Sequence, residues 1–190
     1  MKCTRLCLFG ILFMVLSASC LMAVQPPPPP PPAMALPPIN AEVKFVGPFS
    51  YIAIECGGPY TQFAAAEKAF LREFKASGIK PSGKEIALYW NSPLYVKPEL
   101  LKWDIGYQVS SETKSMGRML VKKFPYNKVA SAMHSGSYLT TYKTINALYA
   151  WIAATGLKTV GGPCVEVYLH DDPDKVPDKM KRTDILIPVM

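Results

Sequence analysis

Apolar residues change their spacing three times along the chain. From Leu6 to Val24 they run without a single charge, and from Pro26 to Pro32 they give way to unbroken proline. From Asn40 onward they become periodic. Phe63, Ala66, Phe70 and Phe74 recur at intervals of three and four before Gly78. Tyr138, Tyr142, Ile145, Leu148, Tyr149 and Ile152 do the same before Gly156. This spacing puts each set on one helix face, with glycine as the stop signal. After each helix the pattern turns β-like, at residues 85–90 and 102–109 and again at 164–169 and 182–189.

These elements read as two copies of one unit. Tyr51-Ile-Ala-Ile-Glu-Cys-Gly-Gly-Pro-Tyr60 corresponds to Val129-Ala-Ser-Ala-Met-His-Ser-Gly-Ser-Tyr138. Glu85-Ile-Ala-Leu-Tyr-Trp90 corresponds to Cys164-Val-Glu-Val-Tyr-Leu169, and Asp104-Ile105 to Asp184-Ile185. Each unit reads strand, helix, strand, strand, over about 41–112 and 116–190. Ala41 to Phe45 precedes the first unit and is in place to add a strand to it, as are residues 117–124 for the second. The fold class expected is α+β: a duplicated βαββ unit, two helices on a largely antiparallel sheet, and a pocket where the halves meet.

Composition sharpens the first 39 residues. Lys2 and Arg5 before the apolar run, and small Ser17, Ala18 and Ser19 after it, describe a signal peptide over 1–24. The same run is long enough for a membrane anchor, and Leu16 to Cys20 resembles a lipoprotein cleavage box. Nine of the 19 prolines lie before Asn40, so 25–39 is expected to be a polyproline II spacer reaching about 20 Å or more. The chain is therefore expected to be exported or membrane-tethered. Without Lys2 and Arg5 its formal charge falls from +7 to +5, spread without a basic stripe, so no nucleic-acid partner is expected.

Met133-His-Ser-Gly-Ser-Tyr138, Val165-Glu-Val-Tyr168 and Thr183-Asp-Ile-Leu-Ile-Pro-Val189 resemble the GyrI-like small-molecule-binding domain. That module also serves as the effector-binding domain of AraC-type and MerR-type regulators and is related in fold to SOUL haem-binding proteins. The resemblance covers 40–190 and implies an aromatic pocket with a glutamate at its base, here Glu166. No helix-turn-helix pattern precedes the domain, so a transcription regulator is not expected.

The candidate ligand-binding residues are Glu166, Tyr168, Tyr107, Tyr89, Trp90 and Tyr149, with Gly106 leaving room beside Tyr107. Ala87 stands where the second copy has Glu166, so one carboxylate would serve the whole pocket. The partner expected is a small apolar or cationic molecule. A hydrolase of strained, cyclopropane-type electrophiles using Glu166 as its catalytic group is the enzyme alternative, and haem or tetrapyrrole binding a further one. Neither a cofactor nor a metal is otherwise expected, since His134 and His170 lack a ligand spacing. A filled cavity would instead favour a tethered protein-interaction module. Cys56 and Cys164, one per half, leave a disulfide open.

Overall fold

A computed structural model describes residues 39–190. The expected signal or anchor at 1–24, the proline spacer and Cys20 lie outside the described residues. Eight strands and two helices follow: β1 (Ala41–Phe45), β2 (Phe49–Gly57), α1 (Phe63–Ser77), β3 (Glu85–Tyr89), β4 (Lys102–Val109), β5 (Leu120–Phe124), β6 (Lys128–Ser135), α2 (Thr141–Ala154), β7 (Cys164–Tyr168) and β8 (Arg182–Pro188). All pairings are antiparallel, in the order β1-β6-β8-β7-β3-β4-β2-β5. The fold is α+β. None of the described helices is long and apolar enough to cross a membrane.

The outer strands are exchanged. β1 pairs with β6 in the second half, and β5 pairs with β2 in the first. In a flat sheet of this order, β1 and β2 would stand six strand spacings apart, about 29 Å. Only Val46, Gly47 and Pro48 join them, a reach of about 14 Å at most. The same holds for Pro125, Tyr126 and Asn127 between β5 and β6. The sheet must therefore curl until its edges approach, and Val46 N–H donates to Asn127 O at 2.9 Å, joining the two connections.

Curling explains why the helix-free face is buried. Tyr51, Ala53, Ile86, Leu88, Phe124, Val129, Val165 and Leu186 form one core cluster there without any helix above them. Gly106 lies on β4, which pairs with β3 on one side and β2 on the other. A Cβ at Gly106 would stand 2.2 Å from Ile52 O and 2.7 Å from Ala53 Cβ. The glycine serves close approach of strands, and the room expected beside Tyr107 is taken up by β2.

The other face carries the helices. α1 covers Ile52, Ile54, Trp103 and Ile105 with Phe70 and Phe74, and stops at Gly78 with φ +70°. α2 covers Ala130, Ala132, Ile185 and Ile187 with Leu148 and Ile152. Tyr142 and Tyr149, placed by spacing on that stripe, are largely exposed, at 56% and 41%. Tyr138 lies just before α2 in a 3₁₀ turn, Tyr138–Thr140.

Candidate functional site

The middle of the helix-covered face belongs to β3 and β7. Their ladder sets Ala87 directly opposite Glu166 and Tyr89 opposite Cys164. Since side chains alternate, Glu85, Ala87 and Tyr89 share a face with Cys164, Glu166 and Tyr168. Glu166 is 3% exposed. Its Oε2 accepts the Tyr168 hydroxyl at 2.7 Å and the Tyr89 hydroxyl at 3.4 Å, and the two phenols lie 3.4 Å apart. Among the described residues no basic side chain reaches Glu166 within salt-bridge distance. Burial pushes its carboxyl up, against hydrogen bonding from Thr141, Tyr168 and Tyr89 that favours the anion.

Aromatic rings fill the space above. Tyr138 lies 4.9 Å from Tyr168, and Phe63 packs edge-on to it at 6.1 Å. Tyr60 meets Tyr89 at 5.0 Å. Two surface depressions, of about 550 and 260 Å³, lie elsewhere, along Phe49 and Lys123 and along Glu73 and Met119. Glu166 is thus buried beneath side chains on this face.

The candidate residues divide accordingly. Glu166, Tyr168 and Tyr89 come together. Tyr149 stands on α2, and partial burial pushes its phenol up to about 12. Tyr107 stands further along the same face, its hydroxyl donating to Glu85 Oε2 at 3.2 Å. Trp90 is on the opposite face, where its Nε1 donates to Asp104 Oδ2 at 3.1 Å.

Glu67 and Glu85 escaped the sequence reading. Glu67 falls four residues after Phe63 and three before Phe70, on the buried stripe of α1, which is a legible warning. Burial pushes Glu85 up to about 8, helped by the charge of Glu67 beside it. Burial raises Glu67 as well. Glu85 Oε1 is buried without a partner. The unfolded chain ionises near the ordinary value of 4.5, so Glu85 supports folding below that pH. Its contribution is lost as pH rises from about 4.5 to about 8. Urea unfolding of Glu85→Gln should show a flatter pH profile across this window, and a gain of a few kcal/mol over wild type at pH 8. Parallel profiles would refute this assignment.

His134 Nδ1 meets Thr144 Oγ1 at 2.8 Å, and its Nε2 meets Ser137 O and Thr140 Oγ1 at 3.1 Å each, securing the turn into α2. Cys56 and Cys164 are free thiols, and burial pushes Cys56 up to about 11. Among the described residues no three His, Cys, Asp or Glu side chains gather closely enough for a metal ion.

The family model of the GyrI-like small molecule binding domain matches residues 40–190. The chain belongs to that family. Comparison of the GyrI-like chain with curated proteins finds no match. Solved structures share its fold. The EcmrR C-terminal domain is 16% identical with a TM-score of 0.70, covering 80% of this chain and 98% of that one. SAV2435 bound to tetraphenylphosphonium is 11% identical, TM-score 0.61, covering 80% and 94%. A hydrolase from Listeria innocua is 14% identical, TM-score 0.57, covering 79% and 91%. At these identities the likeness concerns the fold.

Proposed function

We propose that this GyrI-like domain binds a small lipophilic cation at Glu166, outside the cytosol. The observation that carries the reading is a buried carboxylate ringed by phenols, without a basic partner among the described residues. Such a group is costly as an anion unless something positive joins it. Aromatic faces add attraction for a desolvated cation. The fold it shares with SAV2435, a protein solved with tetraphenylphosphonium, supports the class of ligand. Export rests on residues 1–39, and recovery of the full chain in the cytosolic fraction would overturn that part.

Tetraphenylphosphonium should raise the melting temperature of the wild-type chain and fail to raise that of Glu166→Gln. Because burial holds the carboxyl up, cation uptake should release a proton, and affinity should increase with pH. Equal stabilisation of the two proteins would sink the role of Glu166.

Hydrolysis is the second reading, favoured by one observation. Glu85 lies on the same face as Glu166, two positions before Ala87, which pairs with Glu166, and supplies a second acid near neutral pH. Turnover of a strained electrophile, lost in Glu166→Gln, would separate this reading from binding alone.

A further inference from the structure

The two halves carry matching turns that differ in how firmly their tyrosines are held. In the first half, Gly58 N–H donates to Leu101 O at 3.0 Å, and in the second, Gly136 N–H donates to Lys181 O at 3.0 Å. Around the first turn the tyrosine hydroxyl and the indole N–H are both engaged. Tyr60 OH donates to Asn91 O at 2.6 Å, and Trp103 Nε1 donates to Gly58 O at 3.1 Å. Leu101 is buried beneath.

The second half places different chemistry at the same positions. Tyr138 corresponds to Tyr60, Thr183 to Trp103 and Lys181 to Leu101. Tyr138 OH and Thr183 Oγ1 are both buried without a hydrogen-bond partner among the described residues. An orphaned hydroxyl costs about 1–3 kcal/mol, so the ring is held where its polar end is unsatisfied. What holds it are contacts of the ring itself. Tyr168 packs against it in a tilted arrangement at 4.9 Å, and Lys181 Nζ stands 5.0 Å from its centroid. Lys181 is itself paired with Asp178 at 2.8 Å. The backbone below does not share this looseness, because His134 ties Ser137 and Thr140 in place. The part free to move is the ring.

We infer that the Tyr138 side chain is the gate of the Glu166 site, latched by Lys181, and that a cationic ligand enters by displacing the ring. This rests on the reading of Glu166 as the ligand site. It accounts for a carboxylate covered by rings: the Tyr138 ring packs against Tyr168, whose hydroxyl bonds Glu166. Lys181 shows that the Tyr138 ring already accepts a cation, so an incoming ligand competes with the lysine for aromatic surface.

Stopped-flow and calorimetric binding of tetraphenylphosphonium to the full chain tests the gate. Tyr138→Ala and Lys181→Met should bind faster than wild type and more tightly, by about tenfold for Tyr138→Ala, because closed molecules no longer tax the affinity. Tyr138→Phe should behave as wild type, since its hydroxyl bonds nothing. Slower or weaker binding by Tyr138→Ala would make Tyr138 a wall of the site and overturn the gate. A ligand-free arm keeps the outcome separate from the fate of Glu166. Thr183→Cys, placed opposite Tyr168 and His134 in the ladder, should react slowly with a charged methanethiosulfonate. Adding Tyr138→Ala should speed labelling of that residue, read by peptide mass spectrometry, by about tenfold. Equal labelling rates would overturn the gate whether or not tetraphenylphosphonium binds.

Discussion

Ala87→Glu should lower the melting temperature at pH 7 by about 10 °C or more, and by much less at pH 4. Ala87 is fully buried and directly opposite Glu166. Cβ atoms in such a pair lie about 5 Å apart, so a second carboxyl would be forced against the first in a site already closed by rings. Three costs coincide: added volume, desolvation of a carboxylate, and repulsion between like charges. Ala87→Gln carries the volume without the charge, so the difference between the two variants isolates the electrostatic part. Below pH 4.5 both carboxyls are protonated in the folded chain and that difference should vanish. Circular dichroism melts at the two pH values decide it, and equal losses at both would show that packing alone is responsible. The pairing also accounts for a single glutamate at this place: Ala87 and Glu166 face each other across β3 and β7, leaving no room for a second carboxylate.

Asp104→Ala should cost about 3–5 kcal/mol in urea unfolding, clearly more than Asp184→Ala. Asp104 Oδ2 accepts Tyr51 OH at 3.1 Å, Trp90 Nε1 at 3.1 Å and Lys122 Nζ at 2.8 Å. The Asp104 side chain is 3% exposed and that of Lys122 is 24%. Burial pulls Lys122 down, and its bonds to Asp104 and Glu55 more than reverse this. Removing the carboxylate would strand three donors, one of them charged. Asp184 holds the corresponding place, with Lys44 at 3.1 Å and Ser131 at 2.6 Å, but its pair is wetter, at 19% and 35%. Solvent weakens that attraction, and a loss of about 1 kcal/mol is expected. Equal losses would contradict the assigned difference in burial. In both pairs the lysine comes from an exchanged strand, so each aspartate fastens one half of the chain to the other.

Trp90 shows how far a local pattern reaches. The run from Glu85 to Trp90 marks a strand, and alternation alone places Trp90 away from Tyr89 and Ala87. Its aromatic character nominated it for the ligand, yet its indole serves Asp104 on the other face. Tyr168 was legible because it falls in step with Glu166 along one strand, and Tyr89 because it stands at the matching place in the similar run from Glu85. Glu67 and Glu85 were equally legible by spacing, as carboxylates on buried stripes. Tyr138 was visible as the repeat partner of Tyr60, while its unbonded hydroxyl depends on what Asn91 does in one half and no residue does in the other.

The sequence by itself determined the elements, their approximate bounds and which residues share a face, because side-chain period is a property of the local backbone. It also marked Glu166 as a carboxylate inside an apolar strand. Only the tertiary structure decided that β1 and β5 change partners, that the sheet curls, and that Ala87 meets Glu166. Strand partners are chosen by burial summed over distant segments, and no local period records it. Likewise, whether a cluster of aromatics encloses a cavity or fills it depends on ring positions that only packing sets.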